Sequence, residues 1–293
     1  MEKRKENWIG WAFVLPALIV FLAFVVFPFV TSLLLSFTEW NFLSGLKGIK
    51  FVGLQNFREI LKDEHFFAGI RNTAIYTVFT VPTSILFSLG LAYLLNGKAY
   101  CMKTLRMAFF IPYISSAVAL AAVFSFMFRS DGIINSVIMK IFGVTEGPRW
   151  LADPTLCKVP IILLLFWTAI GYELVIYMAA LQNVPRDLYE VSALDGATSW
   201  QQFVHITFPM ISPTTFYLFV VRMIAAVKVF SAVNIMSLGT SSNGNTSIVM
   251  QIYKNAFQKY EFGYASAEAF VLFIILLAIT AFQFWGQKKW VHY

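Results

Sequence analysis

Apolar residues run along this chain in six long blocks, roughly 9–35, 73–95, 107–128, 157–182, 213–238 and 266–286. Each is close to the about 20 mainly apolar residues that a helix needs to cross a bilayer. The polar residues are gathered into the connections between blocks. The pattern predicts an all-α membrane protein of six transmembrane helices, with residues 1–293 forming a single membrane domain. The first block, opening near Trp8 and running to Leu35, is too long for a signal-peptide core and has no small-residue cleavage site, so it reads as a retained span.

The most informative connection is 183–212, between the fourth and fifth blocks, where residues 185–213 read PRDLYEVSALDGATSWQQFVHITFPMISP. Pro185 suits a first helical turn, Leu188 and Val191 share one face, and Gly196 can end the helix in a left-handed cap. Ser199 with Gln202 reads as a capping box for a second helix, Trp200, Phe203 and Val204 supply its apolar side chains, and Pro209 with Pro213 limit it. The expected product is a helical hairpin at the membrane surface, read by a soluble partner.

Two further connections carry pattern. In FVGLQNFREIL, the residues Phe51, Leu54, Phe57 and Leu61 recur at helical spacing and predict an amphipathic helix on the outer face. Such a helix either packs against the membrane helices or meets an external partner, and the pattern does not separate the two. Residues 239–247, GTSSNGNTS, read as a flexible polar turn without an apolar anchor.

Composition agrees with the pattern. The chain is 59% hydrophobic and 13% charged, against about 45–50% and 25% for soluble domains. Its 31 Phe, 8 Trp and 12 Tyr suit lipid-facing surfaces and interfacial belts better than a soluble core. The net charge of +7 is spread over many short loops rather than one stripe, which argues against nucleic acid. Its placement orients the chain: Lys3, Arg4 and Lys5, then Lys98, Lys103 and Arg106, then Arg186, then Lys288 and Lys289 lie on the side of both termini. By the positive-inside rule that side is cytoplasmic.

Catalytic signatures are lacking. No GxxxxGK(S/T), GxSxG or HExxH occurs, and His65, His205 and His292 lie far apart, so neither an enzyme nor a metal site is expected. Cys101 and Cys157 show no metal-ligand or redox spacing. Charges at membrane depth are costly and mark a path or a pair. Glu173 and Arg222 fall at similar depth, about 15 Å in at 1.5 Å per residue, and either pair with each other or contact substrate; Lys228 lies further out. Ala117, Ala121 and Ser125 recur every four residues, as close helix packing requires.

The hairpin sequence Glu190-Val191-Ser192-Ala193-Leu194-Asp195-Gly196-Ala197, followed by Ile206-Thr207-Phe208-Pro209, resembles the EAA loop of binding-protein-dependent ABC importer permeases. Ser192 stands where that loop's name calls for Ala and is also small. The resemblance covers nearly the whole chain in the pattern of the maltose and glycerol-phosphate type permeases of carbohydrate importers. The opening WAFVLPALIVFLAFVVFPFVTSLLLSFTEWN is similar to that family's first span, VGLQNF to its outer helix, and FFIPYISSAVALAAVF to its third span. YKNAFQKYEFGYASAEA, with Gly263, is similar to the start of its last.

The resemblance implies a type I ABC importer permease fold in a bacterial or archaeal cell membrane, with Glu190, Ala193, Asp195, Gly196 and Pro209 coupling the chain to an ATPase. It implies a second homologous permease, most commonly a related chain forming a heterodimer, together with two ATPase subunits, an extracytoplasmic solute-binding protein and a carbohydrate substrate. ATP and Mg would be bound by the ATPase, with no cofactor in this chain. Tyr113, after Ile111-Pro112, and Tyr172, after Gly171, stand where maltose-type relatives place sugar-contacting residues. The stretch Lys228-Val229-Phe230 matches a substrate-facing segment. With Glu173 and Arg222 these make the expected substrate path. Ala and Val replace polar Asn residues of maltose-type members, which argues against maltose itself. A rival reading is an ion-coupled secondary transporter or channel, with Glu173 as the relay.

Overall fold

A computed structural model describes residues 2–96, 102–237, 244–288 and 291, with the side chains of 2–10 and 102–103 left aside. Lys98, Cys101, Lys289 and His292, and residues 239–243 of the polar turn, lie outside the described residues, as do the side chains of Lys3, Arg4, Lys5 and Lys103. The chain opens with α1 (Glu2–Phe21), a π turn (Leu22–Val26) and α2 (Phe27–Leu35). A short antiparallel ribbon, β1 (Thr38–Glu39) with β2 (Lys50–Phe51), leads to α3 (Gln55–Ile60) and the long α4 (Glu64–Leu95). Then come α5 (Met102–Ile114), α6 (Ala117–Met127), α7 (Ile133–Phe142) and α8 (Lys158–Gln182). The hairpin region holds α9 (Arg186–Leu194), α10 (Ser199–Gln202) and a second π turn (Phe203–Thr207). The remainder is α11 (Phe208–Val227), α12 (Ser231–Met236), α13 (Ile248–Tyr253), a third π turn (Lys254–Gln258) and α14 (Phe262–Gln287).

Among the described residues, five helical stretches are long and apolar enough to cross a membrane: Trp11–Leu35, Glu64–Leu95, Lys158–Gln182, Ser199–Met236 and Phe262–Gln287. The sixth expected span is a broken pair, Thr104–Ile114 and Ala117–Met127, bent by 99°. The bend falls at Ser115 and Ser116 rather than at Pro112, which α5 carries two residues before its end. Ser116 has extended backbone and caps α6 by accepting from the Ala119 N–H, while the Ser115 hydroxyl donates to the Ile111 carbonyl. The Ser116 hydroxyl thus supplies a partner to a backbone N–H that a helix break at membrane depth would otherwise leave bare.

The chain forms two compact units, residues 1–64 with 252–274 and residues 65–251 with 275–293. In the first, the ribbon pairs Thr38 with Phe51 and Glu39 with Lys50, and the buried Asn56 donates its amide to the carbonyls of Ser36 and Thr38, both at 2.9 Å. Gly263 must be glycine, because a Cβ there would lie 2.0 Å from the Thr38 carbonyl oxygen. The predicted amphipathic helix over 51–61 is corrected. The helix covers only Gln55–Ile60, Phe51 is in β2, and Phe51, Leu54 and Leu61 are exposed while Asn56 and Ile60 are buried. Gly53, at φ +60°, turns the chain between strand and helix, and the demand of the Ser36 and Thr38 carbonyls turns Asn56 inward.

The second unit is built on a polar stripe. Thr73, Thr77, Thr80, Ser84 and Ser88 recur every three or four residues along α4 and are all buried, whereas Val78, Phe79 and Leu86 are exposed. In lipid, apolar side chains gain nothing by facing inward, and small hydroxyl side chains let helices approach and bond. Val81, Ile85 and Leu89 of α4 pack with Leu174, Tyr177 and Leu181 of α8 and with Ile211 and Leu218 of α11. The far end of the turn read as flexible is anchored instead: Asn245, Thr246 and Ser247 are buried. The Asn72 amide donates to the Thr246 carbonyl, Tyr76 to that of Asn245, and the Ile248 N–H to Thr73.

Candidate functional site

Both groups of sequence-predicted site residues belong to the second unit. The hairpin begins where α8 ends at Gln182. Pro185, with extended backbone, precedes the first helical residue of α9, where its missing N–H costs nothing. Gly196 takes φ +79°, and the N–H groups of Gly196 and Ala197 close on the carbonyls of Ala193 and Ser192, a left-handed cap of the kind glycine favours. The capping box lies one residue earlier than its sequence reading: Thr198, not Ser199, is the cap, and its partner is Gln201, not Gln202. The Thr198 N–H donates to Gln201 Oε1 at 2.7 Å and the Gln201 N–H to Thr198 Oγ1. A cap needs non-helical backbone, and ψ 158° at Thr198 supplies it while Ser199 is already helical.

Gln202, released from capping, locks the hairpin internally. Its amide donates to the Tyr189 carbonyl at 3.2 Å and to Ser192 Oγ at 3.0 Å, and Tyr189 shares a 2.8 Å hydrogen bond with Thr207. Pro209 and Pro213 do not limit a helix. The chain is helical without interruption from Ser199 to Val227, and Pro209 stands in the first turn of α11 directly after the π turn. A π turn widens the ring in which the proline would otherwise clash with the carbonyl four residues back. The second limb of the hairpin and the fifth span are therefore one rod as far as Val227, where a break at Lys228–Phe230 precedes α12.

The outer surface of the hairpin is open. Glu190, Ala193, Asp195 and Gly196 are exposed, with Leu194 at 89% and Trp200 at 71% exposure beside them. Among the described residues the Glu190 carboxylate makes no hydrogen bond or ion pair. A cavity of about 350 Å³ lies between the limbs, lined by Ser192, Asp195, Gly196, Gln201, His205 and Ile206 among others. Pro209 is partly buried and stands apart from that surface.

Within the spans, Glu173 and Arg222 come together. Arg222 Nε lies 3.0 Å from Glu173 Oε1, and Glu173 is fully buried while the Arg222 side chain keeps 17% exposure. The contact is an ion pair by distance, without an aligned N–H bond. Ser84 and Ser88 of α4 donate to the two carboxylate oxygens, each at 2.9 Å. One carboxylate thus joins α4, α8 and α11. Neither serine stood out in the sequence, although their place on the hydroxyl stripe was a readable signal.

The tyrosines also converge. Tyr113 of α5 and Tyr172 of α8 have ring centroids 5.3 Å apart, and Tyr172 shares a 2.9 Å hydrogen bond with Tyr217 of α11, a residue the sequence reading passed over. Gly171 permits this: a Cβ there would lie 2.6 Å from the Phe109 carbonyl oxygen and 3.1 Å from Tyr113 Cβ. Tyr113 and Tyr217 remain exposed. Lys228 is exposed at the end of α11, and Phe230, half-buried, sits in the break after it. Aromatic faces beside a guanidinium and hydroxyls suit a polar ligand with apolar ring faces, as sugars have.

Comparison with known proteins places this geometry. The family described as binding-protein-dependent transport system inner membrane component matches residues 73–291. A probable ABC transporter permease protein, YesP of Bacillus subtilis (strain 168), is 34% identical over 99% of this chain and 94% of its own length. The lactose transport system permease protein LacF of Rhizobium radiobacter is 31% identical over 98% and 96%. In fold, the chain matches a chain from the crystal structure of a bacterial ABC transporter involved in the import of the acidic polysaccharide alginate. That match has a TM-score of 0.84 at 24% identity and covers 98% of each chain.

Proposed function

The chain belongs to the family of binding-protein-dependent transport system inner membrane components, and from that premise we propose that it is one permease half of an ATP-driven sugar importer. The observation that carries this reading is the hairpin. It presents Glu190, Ala193, Asp195 and Gly196 on an open surface beside Leu194 and Trp200, its second limb runs without interruption into α11, and its first follows α8 after the short link 183–185. A saccharide cargo is supported by the lactose transport system permease among the relatives and by the converging tyrosines.

In this reading the hairpin seats in an ATPase subunit on the cytoplasmic side, where both termini also lie. ATP and Mg are bound there, by the partner. The hydrogen bonds of Tyr189, Ser192, Gln202 and Thr207 make the hairpin rigid, so a displacement of α9 is carried into the rod of α10 and α11. That rod holds Arg222 and Tyr217 and moves them relative to α8 and α5. A second homologous permease, a related chain, closes the other side of the pore. Two ATPase subunits complete the cytoplasmic face, and an extracytoplasmic solute-binding protein delivers the sugar. Tyr113, Tyr172, Arg222, Lys228 and Phe230 line the path, with Glu173 holding Arg222 in place. The ion-relay alternative for Glu173 gains no support, because two serines and Arg222 already engage its carboxylate.

The test is replacement of Glu190 by Ala and of Gly196 by Trp. Losing a charge-assisted hydrogen bond of about 1.5–3 kcal/mol weakens ATPase binding roughly ten- to a hundredfold. Both co-purification of the ATPase and sugar uptake are expected to fall; unchanged co-purification and uptake would overturn the docking role.

A further inference from the structure

Glu268 lies in the second turn of α14, within a membrane-spanning helix, and is fully buried in the first compact unit. An ionisable group in that setting calls for a role. Its partner is Asn255, also fully buried, on the third π turn, whose amide Nδ2 donates to Glu268 Oε2 at 2.8 Å. The other oxygen of each group, Glu268 Oε1 and Asn255 Oδ1, is buried and has no hydrogen-bond partner among the described residues. No cation lies within ion-pair distance of Glu268 among them either.

Both orphaned atoms are acceptors. An ionised carboxylate only accepts, so it cannot satisfy Asn255 Oδ1 and would itself stand buried with one oxygen bare. A single proton on Glu268 removes both deficits: Oε1 becomes a donor to Asn255 Oδ1, while Nδ2 continues to donate to Oε2, a closed acid–amide pair. The charged groups around the pair are the acids Asp63 and Glu261 and the cation Lys259. Glu59 and Asp63 stand near Tyr264, one helical turn before Glu268, and Tyr264 already donates to Asp63 at 2.9 Å. On the π turn, burial and then Lys259 push the Lys254 ammonium below its ordinary value. A cavity of about 550 Å³, lined by Glu59, Asp63, Lys259, Glu261 and Tyr264 among others, comes within one helical turn of Glu268 at Tyr264.

We propose that Glu268 and Asn255 form a proton-binding site, in which the neutral carboxyl ties the start of the last span to the π turn and deprotonation releases it. The role does not depend on the transport reading. Sign follows from the site: the folded protein holds a proton that the unfolded chain gives up at ordinary carboxylate pH. Its stabilisation is therefore full in acid and lost as pH rises through the folded titration.

The experiment uses the full-length chain in lipid nanodiscs, with infrared difference spectra and thermal unfolding recorded across a pH series at fixed sodium and potassium. Expected is a protonated-carboxyl C=O band at neutral pH that disappears in alkali, is absent in Glu268→Gln and shifts in Glu268→Asp. Glu268→Gln, which keeps a donor at that position, is expected to hold the acid-form Tm where the wild type declines. Absence of the band in the wild type at neutral pH overturns the proposal, whether or not the variants fold. So does a Tm that rises with sodium or potassium but not with acid, which would make the site one for a monovalent cation.

Discussion

Glu173 illustrates how a charge survives in a membrane span. Its oxygens accept from Ser84 and Ser88 and face Arg222, so both formal charge and lone pairs are met. Breaking such a pair on one side leaves a buried charge and costs about 3–5 kcal/mol, whereas replacing both partners with apolar residues is often neutral. Arg222→Met is therefore expected to lower the thermal stability of the purified protein sharply, and Glu173→Leu added to it to recover most of the loss. A double mutant as unstable as the sum of the single variants would show that the pair itself is worth little to the fold. The sequence placed the two charges at one depth, but a separation of 49 positions gave no way to choose pairing over substrate contact. Glu268 escaped the same depth argument because it falls near the edge of its apolar block, where a charge is ordinary; only burial in three dimensions sets it apart.

Among elements, the departures from the sequence reading share one cause: local signals were right in kind and misplaced by what tertiary contacts demanded. The capping box exists but moved to Thr198 and Gln201, since Gly196 ends α9 early enough for Thr198 to take extended backbone. Pro209 does not stop the helix because a π turn precedes it, and Pro213 lies within α11 without ending it. Gly171 sets how closely α8 meets α5. A methyl there meets the Phe109 carbonyl at 2.6 Å, and such overpacking costs about 1–3 kcal/mol. Gly171→Ala should therefore push α5 away, part Tyr113 from Tyr172 and raise the KM for sugar uptake more than it lowers the amount of folded protein. Unchanged KM would dissociate the tyrosine contact from binding.

For the whole molecule, the proposed function puts the energy source in a partner ATPase. Reconstituted alone in vesicles under an ion gradient, the chain is expected to accumulate no sugar. Uptake should appear when a second permease, the ATPase and ATP are supplied with a binding protein, and uptake by the chain alone would restore the secondary-transporter reading. The six apolar blocks, the helical character of the chain, the hairpin and its family were legible from residue order, because lipid requires long apolar helices and because caps and turns act over a few residues. What only the tertiary structure decided is which residues meet: Ser84 and Ser88 with Glu173, Tyr217 with Tyr172, Asn56 with the end of the first span, Asn255 with Glu268. Those contacts join residues up to 89 positions apart, and they follow from which face each helix turns away from lipid, a choice that depends on all its neighbours at once.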